Sequence, residues 1–455
     1  MKINQFEHIY FLGIGGIGMS AIARYFHFSG KKVSGYDRTA TALTERLQAE
    51  GIRIHFTDLG ETVLADLPPK DNVLIVTTPA VPNDLKELLC FKEQGYKILK
   101  RAEILGLITN SLKTLAVAGT HGKTTTSAML AHVMMQTPEK CNAFLGGISS
   151  NYESNILVES ESPWGVVEAD EFDRSFLHLH PFASILTSMD ADHLDVYSNP
   201  EALIVAFQEY VNLIPANGCL IVQKDIQVTT DANRFSYGVN CDGYEVDYRA
   251  NNLRIEDNVF VMDVTTPKSD WKSVKLGIPG IHNAENALGV IALSEFIGLD
   301  ENIIRKGLAT FTGVKRRFEY HIRKPELIYI DDYAHHPTAI KSLFSSVKLL
   351  YPDLPIIAVF QPHLFSRTSD FMDEFATCLD AADQVYLLPI YPARERPIPG
   401  ITSEALMHKM KLSNVEVIQP KDVVQKITGV EKGVVLTVGA GDIDRIIQPL
   451  KKALL

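Results

Sequence analysis

Short apolar runs, many closed by glycine or acidic residues and followed by a helical apolar period, recur along the whole chain. Unbroken runs of this length read as strands buried on both faces of a parallel sheet, and their alternation with helical stretches reads as successive βαβ units. His8–Gly13 is the first such run. A helix pattern follows it through about Phe28 and stops at Gly30; Lys32–Asp37 and Asn72–Thr77 are the next strands, and the alternation continues to about Ile108. Asn110-Ser111 marks a boundary, after which Thr114–Ala118, Trp164–Glu168 and Ala183–Ser188 restart the pattern. Residues about 217–275 are β-rich and irregular, with strands expected at Tyr244–Tyr248 and Val259–Val264, and a helix begins near Gly280. Gly313–Phe318 reads as a hinge into Leu327–Asp332, Pro355–Phe360, Gln384–Leu388 and Gly433–Val438. At 455 residues the chain is too long for one core. The pattern predicts three successive α/β domains, placed at 1–108, 109–313 and 314–455.

Chemistry collects where these strands end. Thr114–Ala118 runs into Gly119-Thr120-His121-Gly122-Lys123-Thr124-Thr125 and then a helix. Strand, glycine-bracketed turn and helix start form a phosphate cradle, with backbone N–H groups and the helix's partial positive charge facing the anion. Lys123 can reach the β- and γ-phosphates, and the Thr124 hydroxyl can ligate Mg²⁺. The strict Walker spacing fails, because its first glycine would fall at Val117. Earlier, Gly13-Ile14-Gly15-Gly16-Ile17-Gly18 opens a helix, with Asp37 about twenty residues further on, the spacing of a Rossmann dinucleotide fingerprint. That pattern places a phosphate or ribose there without choosing the nucleotide, and a ligand-free tight turn shares it. The strand ends at Glu168–Asp173 and Asp190–Asp195 add carboxylates and His193 beside the cradle; Glu168 and His193 are the metal-ligand candidates. Asn283 and Asn286 share a helix face, able to read a base or simply to cap the helix.

Composition narrows the class. A formal net charge of −11 argues against a general nucleic-acid binder. The five cysteines are scattered without a C-x-x-C, so neither a zinc site nor a disulfide framework is expected, and they read as buried thiols. No signal-peptide apolar region precedes the first strand, and no apolar run is long enough to span a bilayer, so a cytoplasmic protein without a membrane partner is expected. A nicotinamide-dependent oxidoreductase would use Gly13–Gly18 with Asp37 but leave the cradle, the acid clusters and the third domain without work. A non-catalytic nucleotide-binding scaffold would have no need of Lys123, Glu168 and His193.

Taken together, Gly13–Ser20, Gly119–Thr125, Glu168–Asp173, Asp190–Tyr197, His282–Asn286, Arg316–Phe318, Asp331–Thr338, Gln361–Thr368 and Gly439–Asp442 resemble the Mur ligases, nearly end to end. These are the ATP-dependent amide-forming enzymes of peptidoglycan synthesis, and Gly119–Thr124 is their form of the phosphate loop. Gly13–Ser20 is nearest to the members that join L-alanine to UDP-N-acetylmuramate through an acyl phosphate. The resemblance implies a Rossmann-like N-terminal domain for the UDP-substrate, a central P-loop ATPase-like domain, and a C-terminal Rossmann-like domain for the amino acid. It assigns the UDP-substrate to Gly13, Gly15, Gly16, Gly18, Met19, Ser20 and Asp37. ATP falls to Gly119, Thr120, His121, Gly122, Lys123, Thr124, Thr125, Asn283 and Asn286, with Arg317 and Asp332 closing over it. Two magnesium sites are implied, Thr124 and Glu168 serving one and His193 the second. Tyr333, His335 and Arg367 face the amino acid and the reacting carboxylate, with His335 as a candidate proton acceptor. Lys123, His193, Arg317 and Asp332 carry the catalytic roles, in a monomer or weak homodimer. Two departures stand out: Leu364 where the family leads us to expect Arg, and no Lys anywhere in Tyr197–Pro215, where several relatives carry a carbamylated lysine. The alanine-adding members are expected to lack that lysine too.

Overall fold

A computed structural model describes residues 5–190, 197, 199–241, 243, 245–256, 259–393 and 395–455. It divides into two compact units, residues 1–252, 262–275 and 285–312 in the first and 253–261, 276–284 and 313–455 in the second. Three sheets carry the α/β architecture.

The first sheet is parallel throughout, in the chain order 3-2-1-4-5, with His8–Leu12 at its centre between Lys32–Tyr36 and Val73–Thr77. All five residues of His8–Leu12 are buried, as an unbroken apolar run between two helical layers requires. The strand order reverses at this central strand, and the glycine loop leaves from its carboxyl end, where open α/β sheets bind their ligands.

The second sheet has ten strands. Lys113–Ala118 lies in its parallel part, between Pro181–Leu186 and Trp164–Glu168, so the three predicted polar strand ends come out at one edge. One apolar core joins the first two sheets: Ile9 and Ile22 belong to the same buried cluster as Phe144, Val167, Phe176 and Leu220. The ring of Tyr25 packs 5.4 Å from that of Phe144, and Arg24 donates to Asn155 at 2.8 Å. Fully burying a side chain of this size contributes about 1.5–3 kcal/mol, which welds the glycine-loop helix Ile17–Phe28 to the strands Asn142–Ser149 and Ser154–Leu157.

In the second unit, Leu327–Asp332, Gly433–Val438, Ile356–Phe360, Gln384–Leu387 and Val415–Val417 pair in parallel, and Glu319–Arg323 is an antiparallel edge whose register shifts between Tyr320 and Ile322. The expected strand at Tyr244–Tyr248 is a correction. Pairing starts only at Tyr248, and the Asp247 carboxylate instead accepts from the N–H and hydroxyl of Ser236, at 2.7 and 2.8 Å. Tyr244 lies outside the described residues. All five cysteines are free and buried. Among the described residues no helix is long and apolar enough to cross a membrane.

Candidate functional site

The glycine loop after His8–Leu12 is built from its own backbone. Gly13 takes φ +81°, a conformation a side chain resists, and the N–H groups of Gly13 and Ile14 both donate to Tyr36 O. Asp37 accepts from Gly15 N–H at 2.7 Å and from Thr39 N–H at 3.1 Å. The acid of the fingerprint therefore braces the loop. A methyl on Gly15 would lie 2.7 Å from Thr44 and 2.8 Å from Asp37, so only glycine permits the brace. The helix Ile17–Phe28 has no side-chain cap, and its first-turn N–H groups are available to an anion. Met19 and Ser20, assigned to the same ligand, are buried. The Ser20 hydroxyl donates to Ile17 O and accepts from Asn155 at 2.9 Å, so these two residues hold the helix in place.

The candidate phosphate loop has Gly119 at φ +133° and Gly122 at φ +80°. A methyl on Gly119 would collide with Thr187 Oγ1, and one on Gly122 would stand 2.8 Å from Asn286 Oδ1. Asn286 is thus at the loop. Asn283 is buried, and its amide donates to Pro279 O at 2.6 Å, a local bond at the helix start. The helix Lys123–Met134 is also without a side-chain cap. Lys123 Nζ folds back onto Gly119 O at 2.6 Å, Thr120 O at 3.3 Å and Glu171 Oε1 at 2.8 Å. Burial opposes its charge, but Glu171, Glu168 and Asp170 outweigh burial and hold its pKa above the ordinary value. Burial raises the pKa of Glu171, and Lys123 pulls it partly back. The ammonium stays charged, held by a carboxylate that is fully buried.

The neighbouring strand end fixes the loop. Thr187 Oγ1 donates to Ala118 O and His121 O, Ser188 Oγ accepts from His121 N–H at 2.8 Å, and Asp190 N–H donates to Thr120 Oγ1 at 3.0 Å. Asp190 also lies 3.5 Å from His121. Thr124 is half-buried and Thr125 buried on the first turn of the helix. Glu168, at the end of Trp164–Glu168, is hemmed in by the next strand, since a methyl on Gly146 would collide with its carboxylate. Oxygen donors at a strand end beside a phosphate loop fit Mg²⁺ chemistry. His193, the candidate for a second ion, lies outside the described residues.

In the second unit the hinge and the end of Leu327–Asp332 interlock. Asp332 accepts from Phe318 N–H at 2.7 Å and Ala334 N–H at 2.8 Å, and burial raises its pKa against the field of Arg317. Arg316 donates to Asp331 at 3.2 Å and to Gly439 O at 2.6 Å; burial pushes Asp331 up to about 6. Both guanidinium groups lie against the ring of Tyr333, at 5.2 Å for Arg316 and 5.0 Å for Arg317. His335 Nδ1 is 2.8 Å from Tyr333 O and must donate to that carbonyl, which makes Nε2 the accepting nitrogen of the neutral ring. Burial and the charge of Arg367 hold its pKa down at about 3. Arg317, Asp332, Tyr333, His335 and Arg367 are therefore one neighbourhood. Leu364, at the start of Phe365–Asp370, has φ +69°, a strained value for a leucine.

Sequence reasoning passed over Glu171 as the partner of Lys123, Thr187 and Ser188 as the loop's clamps, and Arg101, which reaches Asp170 at 3.1 Å. Position at a polar strand end was the available signal for the first three. Arg101 had none, since its partner is 69 residues away in the sequence.

Three family models match successive parts of the chain. Residues 8–112 match the Mur ligase family catalytic domain, 117–294 the Mur ligase middle domain, and 316–441 the Mur ligase glutamate ligase domain. A UDP-N-acetylmuramate–L-alanine ligase of Flavobacterium johnsoniae is 46% identical over 455 residues, covering 100% of this chain and 99% of its own length. Its namesake in Porphyromonas gingivalis is 45% identical, covering 98% and 99%. The crystal structure of a UDP-N-acetylmuramate–alanine ligase from Thermotoga maritima superposes with a TM-score of 0.83 at 29% identity, covering 98% of each chain. A murein peptide ligase from Psychrobacter arcticus shares the fold with a TM-score of 0.70 at 24% identity, again over 98% of each.

Proposed function

Because this chain belongs to the Mur ligase family, an ATP-dependent ligase family, we propose that it joins L-alanine to the lactyl carboxylate of UDP-N-acetylmuramate, the first amino-acid addition in peptidoglycan precursor synthesis. The observation that carries this reading is the full-length likeness to proteins of that name, combined with a cradle whose Lys123 is charged and held at the loop. As part of the same reading the enzyme works in the cytoplasm, as a monomer or weak homodimer.

A carboxylate and an amine do not condense in water, because hydroxide is a poor leaving group. The proposed route first places the γ-phosphoryl of ATP on the carboxylate oxygen; the neutral amine of L-alanine then attacks the acyl carbon and phosphate leaves. Phosphoryl transfer asks for positioning and charge neutralisation more than covalent help. The loop N–H groups and Lys123 orient the phosphates, and Asn286 lines the loop. Thr124 and Glu168 would hold Mg²⁺, with His193 at a second ion; the metal supplies charge neutralisation at the phosphates. Arg317 and Asp332 toward ATP, and Tyr333 and Arg367 toward the amino acid and carboxylate, complete the assignment. His335 is unprotonated at working pH, and a group with a pKa near 3 is a poor base. Its Nε2 is better suited to accepting a hydrogen bond that orients the amine than to removing its proton.

The test is ADP formation by the purified chain. Release that requires both UDP-N-acetylmuramate and L-alanine is expected. Release with UDP-N-acetylmuramate and a tripeptide, but none with L-alanine, would overturn the assignment in favour of peptide recycling.

A further inference from the structure

Lys97–Lys100, the last strand of the first sheet, runs directly into the helix Arg101–Thr109. At that junction a guanidinium lies against the glycine loop. A methyl on Gly18 would stand 2.7 Å from Arg101 Nη1 and 3.3 Å from its Cδ, so Arg101 fills the space the glycine leaves at the uncapped first turn of Ile17–Phe28. Its Nη2 donates to Asp170 Oδ2 at 3.1 Å, on the acid cluster after Trp164–Glu168. The two side chains are 23% and 34% exposed. A monodentate, partly solvated pair of this kind is weakly held and exchanges readily. A diphosphate at the helix start offers the same guanidinium more charge and a two-pronged geometry.

Resting on the function proposed above, we propose that Arg101 is a specificity-determining residue for the UDP-substrate. It exchanges Asp170 for the diphosphate held at Gly15–Gly18, so that the acid cluster competes with the nucleotide sugar for one guanidinium. Asp170 also contributes to the field on Lys123. Arrival of the UDP-substrate therefore uncovers a negative charge on the phosphate-loop side as Arg101 turns away.

Calorimetry on the full chain, with UDP and with uridine as probes, tests the exchange. Arg101→Ala should bind UDP about tenfold more weakly than wild type, with uridine affinity unchanged and Arg101→Lys in between. Asp170→Asn, which removes the competitor, should bind UDP at least as tightly as wild type. In turnover, Arg101→Ala should raise the KM for UDP-N-acetylmuramate well beyond any change in the KM for ATP. UDP affinity that ignores Arg101→Ala overturns the proposal. So does parallel weakening in Arg101→Ala and Asp170→Asn, the mark of a bridge that only ties two segments together. If Arg101→Ala loses its fold by circular dichroism, the opposite signs expected for Arg101→Lys and Asp170→Asn still decide. Wild type without substrate-dependent ADP release would remove the functional reading itself; active wild type with an indifferent Arg101 removes this inference alone.

Discussion

Lys123 shows how one side chain is prepared for its task. The ammonium is nearly enclosed, yet it keeps its proton because Glu171 sits 2.8 Å away and two loop carbonyls accept the remaining hydrogens. Lys123→Ala should lower ADP formation by at least about a hundredfold, the scale of losing a preorganised charge at developing negative charge. UDP binding should stay within about twofold of wild type, because Lys123 bonds to Gly119, Thr120 and Glu171 rather than to the Gly13–Gly18 loop. Turnover close to wild type in a steady-state assay would dismiss the phosphate role. At this scale the sequence was legible where a strand, a glycine-bracketed turn and a helix start follow at a fixed spacing, as around Gly119–Thr124. It was silent on Glu171, one acid among several in Glu168–Asp173, whose role depends on which carboxylate the fold turns inward. Met19 and Ser20 carry a motif and yet are buried in packing, so a motif position need not be a ligand contact.

Elements were easier to read than their junctions. Trp164–Glu168, Leu327–Asp332 and Gly433–Val438 are strands with the expected ends, because an apolar run closed by polar residues has few other uses in a buried sheet. The stretch before Tyr248 failed the same logic, since Asp247 satisfies its neighbour through its side chain and ends the pairing. Leu364 is the sharpest case of strain at a junction. Its φ of +69° opens the short helix Phe365–Asp370, and its carbonyl accepts from the Thr368 hydroxyl at 2.7 Å. Backbone strain of this sort costs about 1–3 kcal/mol. Leu364→Gly should therefore raise the thermal midpoint of the second unit, with a gain on the order of 1 kcal/mol after the lost side-chain contacts. A lowered midpoint in calorimetry would mean that those contacts outweigh the strain.

Across the molecule, burial of neutral histidines ties stability to pH. His8 and His132 are buried and hold pKa values of about 4, through burial first and nearby cations second. His132 is bonded on both nitrogens, to the Tyr152 hydroxyl at 2.8 Å and Thr310 Oγ1 at 2.9 Å. Their folded pKa lies below the ordinary 6.5, so the unfolded chain takes up these protons first as pH falls. The contribution is complete above about pH 6.5 and is lost between there and about pH 4, at up to roughly 1.4 kcal/mol per pH unit for each group. His132→Gln should flatten the pH dependence of the first unit's denaturation transition over that window by about one proton. An unchanged slope across several pH values would show that His132 does not titrate on unfolding. The three-sheet plan was legible because each βαβ stretch is local. The core shared by the first two sheets was not, because no sequence pattern announces that Tyr25 will meet Phe144.

One consequence of the loop's resting arrangement concerns what it declines to bind. With its cation held by Glu171 and the loop's own carbonyls, the cradle meets simple anions with backbone N–H groups and a helix start rather than with a bare ammonium. A newcomer must offer Lys123 more than it already has, and under the proposed function a chain of three phosphates reaching along the loop is expected to do so where one alone is not. Under the function proposed above, selectivity for the triphosphate is expected to rest on this internal rival, before any contact with the base is made.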